Sequence, residues 1–220
     1  MGQPEYCDVS VQKGSWVPVK PSPRRTQAQR RAVAEASLLA AAVEVIVEGG
    51  VRGLTLARVG ERAGYSRGSV SHHFGSKRGL METLSRESQA GFVTHLDGMA
   101  PGLERFLAHI DGYVSALGDD APGWQAFVRL WVEAASDAEL APIMRERDAS
   151  FRTDLRNDVA TGLAEGVVHR DVDPAAVAVA AVGQLRGIGL QRLLDPAAVD
   201  LATVRRALRL QWTRSLRSRE

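Results

Sequence analysis

Between Arg24 and Ala100 the chain carries no proline, although four of its nine prolines crowd into residues 1–23. A long stretch without a helix breaker, with apolar residues three and four apart, reads as a series of helices. RRAVAEASLLAAAVEVIVEGG sets Val33, Leu38, Leu39, Ala42, Val43, Val45 and Ile46 mostly on such steps, and Gly49 and Gly50 supply its stop. LTLARVGERAG follows, with Thr55 as N-cap, Leu56 and Val59 on one face and Gly64 at its end. Arg58 stands where a capping box would have glutamate, so that cap has one arm. Ser66 caps RGSVSHHF, and Ser76 caps KRGLMETLSRES. Two short helices, Leu56–Ala63 and Arg67–Phe74, are thus joined by Gly64-Tyr65-Ser66, a turn whose glycine tolerates positive φ. This is a helix-turn-helix arrangement.

The remainder also reads as helical. Leu80, Leu84, Phe92, Leu96 and Met99 extend one helix to the break at Pro101-Gly102, and LERFLAHIDGYVSALG is the next. Pro122 opens GWQAFVRLWVEAAS, with Trp124, Phe127, Val128, Trp131 and Ala135 on one face. Ile143, Phe151, Leu155, Val159, Leu163 and Val167 predict a long amphipathic helix. Asp173-Pro174 starts another with proline at the first helical position, Asp195-Pro196 ends it, and LATVRRALRLQWTRSLRSRE closes the chain. No segment shows a convincing strand, so the expected fold class is all-α. The expected layout is a disordered tail at 1–23, a three-helix helix-turn-helix domain at 24–88 and a helical bundle at 89–220.

Composition excludes several classes. The least polar run, residues 175–183, is far shorter than the roughly 20 apolar residues of a membrane helix. The N-terminus lacks the basic and apolar regions of a secretory signal. Cys7 is the only cysteine, which rules out an internal disulfide and a cysteine-based zinc cluster. The expected location is the cytoplasm, with no membrane partner. Residues 1–90 hold 13 Lys/Arg against 8 Asp/Glu, a balance of +5, and residues 91–220 hold 15 against 18, a balance of −3. A basic module facing a polyanion, followed by a module of different purpose, fits that asymmetry.

His72 and His73 invite a metal reading, but adjacent helical side chains diverge by about 100° and do not share a metal easily. A nucleophile pair at Ser69 and His72 has no acid partner nearby. No catalytic residue, metal or cofactor is assigned. The start of the second short helix suits DNA better. Ser66, Gly68 and Ser69 are small and let the backbone approach closely, and Arg67 can reach phosphate or guanine. Lys77 begins the following helix, where dipole and ammonium together favour a phosphate. His73 reads as a packing or phosphate-contacting residue.

GGVRGLTLARVGERAGYSRGSVSHHFGSKRGLMETL resembles the DNA-binding domain of the TetR family of bacterial transcriptional regulators. Leu54-Thr55, Ala63-Gly64, Ser66, His73-Phe74, Ser76-Lys77 and Leu80 carry the match. DVDPAAVAVAAVGQLRGIGLQRLLDP is similar to the C-terminal domain of the betaine-regulator subgroup, from which no ligand is carried over. The resemblance implies that Thr55, Arg67, Ser69 and Lys77 hold phosphates or the groove edge, with Gly68 and His72 near bases. Arg58 and Arg62 either add long-range attraction to DNA or form a solvated face. Two positions depart from the family pattern. Ser71 replaces a tyrosine and shortens a contact, and Gly60 replaces an alanine, at up to about 1 kcal/mol in a helix interior.

The resemblance also implies that the bundle binds a small effector and makes a homodimer. Trp124, Phe127, Trp131, Met144 and Phe151 are the apolar pocket candidates, with His109, Glu133 and Gln184 as polar ones, although an aromatic stripe usually serves the core. Aromatics with a carboxylate would suit a cationic ligand. A helix apolar nearly all round at about 174–193, with another at about 197–217, would pair with its copy around a two-fold axis. The chain then reads as a ligand-responsive repressor on a palindromic double-stranded operator. An all-α enzyme and an architectural DNA protein are the alternatives.

Overall fold

The computed structural model describes residues 26–90, 96, 98–118 and 122–218. Within them the chain forms nine α-helices and two single-turn 3-10 segments, with no strand. The expected disordered tail lies outside the described residues.

Helix α1 (Gln27–Gly49) begins a few residues before its apolar stripe. Thr26 Oγ1 accepts from the Gln29 amide, and Gln29 Oε1 accepts from the Thr26 amide, a reciprocal cap that satisfies two end donors. Its end is Gly50, at φ 69°. A 3-10 turn, Val51–Gly53, leads into α2 (Leu56–Ala63), the turn at Gly64 and α3 (Arg67–Phe74). Thr55 Oγ1 and Ser66 Oγ accept from the third amide of α2 and of α3 respectively, as their side-chain chemistry predicts. Gly64 adopts the left-handed conformation, φ 74° and ψ 27°. Leu54, Val59, Val70 and Leu80 are buried in one core with α1 residues Leu38, Ala42 and Ile46. Each such side chain contributes roughly 1.5–3 kcal/mol of apolar burial.

Gly60 has a reason that helix propensity does not supply. A Cβ there would stand 2.6 Å from the Tyr65 carbonyl oxygen and 3.2 Å from Val70 Cγ2. The glycine lets α2 sit directly on the turn and on α3, and the Tyr65 amide donates to the Gly60 carbonyl at 2.7 Å.

Helix α4 (Lys77–Ala90) starts under Ser76, whose hydroxyl accepts from the Gly79 amide. Its expected continuation to Met99 is not borne out in the described part: Leu96 and Met99 are non-helical, Gly98 has φ 81°, and Pro101 follows. Phe92 lies outside the described residues.

The bundle holds α5 (Leu103–Ala116), α6 (Gly123–Glu133), α7 (Leu140–Ala164), α8 (Pro174–Leu194) and α9 (Leu201–Leu216). Val167 falls past the end of α7, because Gly166 turns left-handed at φ 74° and the Val167 and Val168 amides fold back to the Gly162 carbonyl. Asp173 caps α8 ahead of Pro174. The final helix begins at Leu201 rather than 197, since Pro196–Ala198 form a 3-10 turn and Asp200 is the true cap. Asp158, buried on α7, accepts from Arg105 Nε of α5 at 2.7 Å and lies 3.4 Å from His109 Nε2. The two modules share one apolar core, in which α1 packs on α6, and α4 on α6 and α7.

Candidate nucleic-acid interface and ligand cavity

The N-terminal end of α3 is open. Ser66, Arg67 and Gly68 are exposed, and Ser69 is half-buried one turn along. Behind them Val70 and Phe74 anchor the helix in the core. His72 is exposed and His73 half-buried, with ring centroids 6.1 Å apart and planes at 78°. Among the described residues no three His, Cys, Asp or Glu side chains group for a metal. Lys77 is half-buried beside α3, and Thr55 is exposed at the start of α2. Of the nine candidates, Ser66, Arg67, Gly68, Ser69, Ser71, His72, His73 and Lys77 follow one another along α3 and into the start of α4, and Thr55 caps α2.

Three of the neighbouring residues behave differently from their sequence readings. Ser71 is tied to its own helix end, its hydroxyl donating to the Gly75 carbonyl at 3.1 Å. Arg58 donates from Nη1 to the Gly53 carbonyl at 3.1 Å and straps the 3-10 turn. Arg62 pairs with Glu44 and Glu48 of α1 at 2.9 and 2.8 Å. The Arg62 hydrogen bond holds the Glu48 carboxyl below its ordinary range. Arg58 and Arg62 therefore fasten α2 to what precedes it.

Arg30 and Arg31 were absent from the sequence reading of this region. They line a cleft of about 950 Å³ with Tyr65, His72 and His73, and so extend the basic surface beside α3. A signal for them existed: both sit near the N-terminus of α1, where cations oppose the helix dipole.

In the bundle, Trp124, Phe127 and Phe151 are buried in the core, whereas Trp131 and Met144 line a cavity of about 670 Å³ between α6, α7 and α8. Trp131 Nε1 donates to Asp148 Oδ2 at 2.8 Å, and Arg186 Nη2 donates to Asp148 Oδ1 at 2.9 Å. Arg186 lies among the rings of Phe127, Tyr113 and Phe151. Burial opposes its charge, but the Tyr113 oxygen and the Asp148 carboxylate outweigh that and raise its pKa. Burial pushes the Tyr113 phenol up. The cation that these aromatics hold is thus the chain's own. Of the polar candidates, His109 is tied towards Asp158, Glu133 pairs with Arg52 at 3.0 Å, and Gln184 accepts from Trp212 Nε1 at 2.9 Å.

Residues 38–84 match the model of the bacterial regulatory proteins of the tetR family, and residues 102–216 match that of the BetI-type transcriptional repressor C-terminal domain. The chain is 28% identical over 183 residues to the HTH-type transcriptional regulator BetI of Burkholderia lata, covering 82% of this chain and 91% of that protein. It is 26% identical over 173 residues to BetI 1 of Chromohalobacter salexigens, covering 76% and 83%. Among solved structures, one described under the control of antibiotic production by bacterial hormones is 28% identical, with TM-score 0.70 and 84% and 98% coverage. A choline complex of a regulator from Saccharomonospora viridis shares the fold at 19% identity, with TM-score 0.70 and 86% and 100% coverage. These relatives are transcriptional regulators and not enzymes. With the BetI-type model spanning more than half its length and the helix-turn-helix ahead of it, the chain belongs to the TetR family of DNA-binding transcriptional regulators.

Proposed function

We propose that this regulator is a repressor that binds a palindromic operator as a homodimer and leaves it when a small molecule enters the bundle. Residues 24–88 read the DNA, and residues 89–220 bind the effector and the second copy, in the cytoplasm where the operator is. The observation that carries this reading is the bare face of α8 and α9. Ala176, Ala180, Gly183, Gly187 and Leu194 follow one another at three-, four- and seven-residue steps along α8 with Val179 beside them, and most are exposed, Val179 at 60% and Leu194 at 76%. Leu210 adds a further apolar side chain on α9, 51% exposed. Small residues let two helices approach closely, and a face of this kind pairs with its own copy. Two copies would present two α3 helices to successive major grooves, with Arg67, Ser69 and Lys77 on phosphates and Gly68 and His72 nearest the bases.

An effector can act only by binding two conformers unequally. Met144 supplies a route, because it lines the bundle cavity and its sulfur accepts from Ser85 of α4 at 3.5 Å. Footprinting on the chain's own upstream region tests the reading. A protected palindrome is expected. Binding that ignores mutations in the palindrome would leave an architectural DNA protein instead.

A further inference from the structure

The aromatic cage of the bundle is already occupied. The Arg186 guanidinium carbon lies 4.6 Å from the Phe127 ring centroid, 5.2 Å from that of Tyr113 and 5.8 Å from that of Phe151. The side chain is 5% exposed. Its Nη2 is used by Asp148, and the Tyr113 side chain gives the guanidinium a second partner. A guanidinium presents its donors in a planar fork that suits carboxylates. A second cation entering this cage would meet like charge against the same rings, where the local dielectric is low.

The surroundings are unbalanced in the same sense. Arg147 is half-buried on α7, and its Nε is buried without an acceptor among the described residues. Burial first, and then the field of Arg86, weakens its hold on its proton, and Arg186 adds to the effect. Arg145 and Arg152 line the adjoining cavity, where Asp148 is the one carboxylate, already shared by Arg186 and Trp131. The rest of that wall is apolar, formed by Trp131, Val132, Met144, Leu190 and four alanines. An apolar cavity with surplus guanidinium charge is complementary to a molecule with a hydrocarbon body and a negative head.

We propose that the cavity between α6, α7 and α8 takes an amphipathic organic anion, its body against Trp131, Met144 and Leu190 and its carboxylate held by Arg145 and Arg152, which line it. This inference rests on the bundle being an effector domain. It separates the chain from quaternary-ammonium recognition, because Arg186 fills the place of the ammonium.

Three molecules that share one body decide it: 4-phenylbutyrate, 4-phenylbutanol and 4-phenylbutyltrimethylammonium. Each is titrated into the full chain without DNA, by calorimetry and by tryptophan emission. The carboxylate should bind at least about tenfold more tightly than the alcohol, and the ammonium more weakly than both. Arg145→Gln and Arg152→Gln should each weaken the carboxylate about tenfold or more. Ala138→Phe fills the cavity from an exposed position away from the buried ion pair. It should abolish binding with the thermal midpoint unchanged. Ammonium binding as tight as carboxylate binding overturns the proposal. So does the absence of carboxylate binding at millimolar concentration, or binding indifferent to Arg152→Gln and Ala138→Phe. A gel shift with the carboxylate then separates the two readings: binding without loss of operator affinity upholds the anion site and overturns release by an effector.

Discussion

Replacing Gly60 by alanine would favour the helix by up to about 1 kcal/mol and drive a methyl group into the Tyr65 carbonyl. The contact wins, because the obstacle is backbone and cannot rotate away. Gly60→Ala should lower stability by about 1–3 kcal/mol, seen as a lower urea midpoint, and weaken operator binding by shifting α3. Arg67→Ala should act on DNA binding alone. Helical content stays constant, operator affinity falls, and the slope of log affinity against log salt drops by about one. Normal operator affinity in that variant removes Arg67 from its assigned role. Ser71→Ala tests the position where the family carries tyrosine. Its hydroxyl closes the end of α3, so the loss should be about 1 kcal/mol of stability by denaturant titration, with DNA affinity little changed. Gly64, Ser66 and Thr55 were legible in the sequence because their partners lie within three or four residues. The demands on Gly60 and Ser71 were not, since the first comes from a carbonyl brought back by the turn and the second from a hydroxyl that can point either way.

At the scale of elements, caps fixed the starts of helices better than apolar periodicity did. Asp173 and Asp200 each accept from the amide two residues on, and their helices begin directly after them. Asp173→Ala should cost about 1 kcal/mol, measured as a lowered melting temperature, with oligomeric state retained. Ends were harder to read. Val167 kept the spacing of α7 but lies beyond it, since a left-handed glycine outranks one more apolar residue. The pocket stripe shows the same limit. Its period marked Trp124, Phe127 and Trp131 as one aromatic face, and of these only Trp131 reaches the cavity described above. Arg186 escaped notice because its neighbours on α8 are apolar, and the rings around it come from α5, α6 and α7.

At the scale of the whole molecule, the bare face of α8 and α9 carries the strongest prediction. Val179→Asp together with Leu210→Asp should yield a folded monomer by sedimentation and remove tight operator binding, since one half-site is then read alone. A variant that stays dimeric moves the interface elsewhere. Asp148→Ala asks what holds the bundle together. It strands a buried guanidinium and should cost about 3–5 kcal/mol, read from thermal unfolding. Helix α4 joins these parts. Lys77 is at its DNA end, while Ser85, two turns along, touches Met144 on the cavity wall. Fourteen residues make a rod about 21 Å long at 1.5 Å per residue, and pivoting it by about 5° carries one end through about 2 Å. Such a lever turns a side-chain displacement at the cavity into a mismatch comparable to a hydrogen-bond length, felt once in each half of the operator.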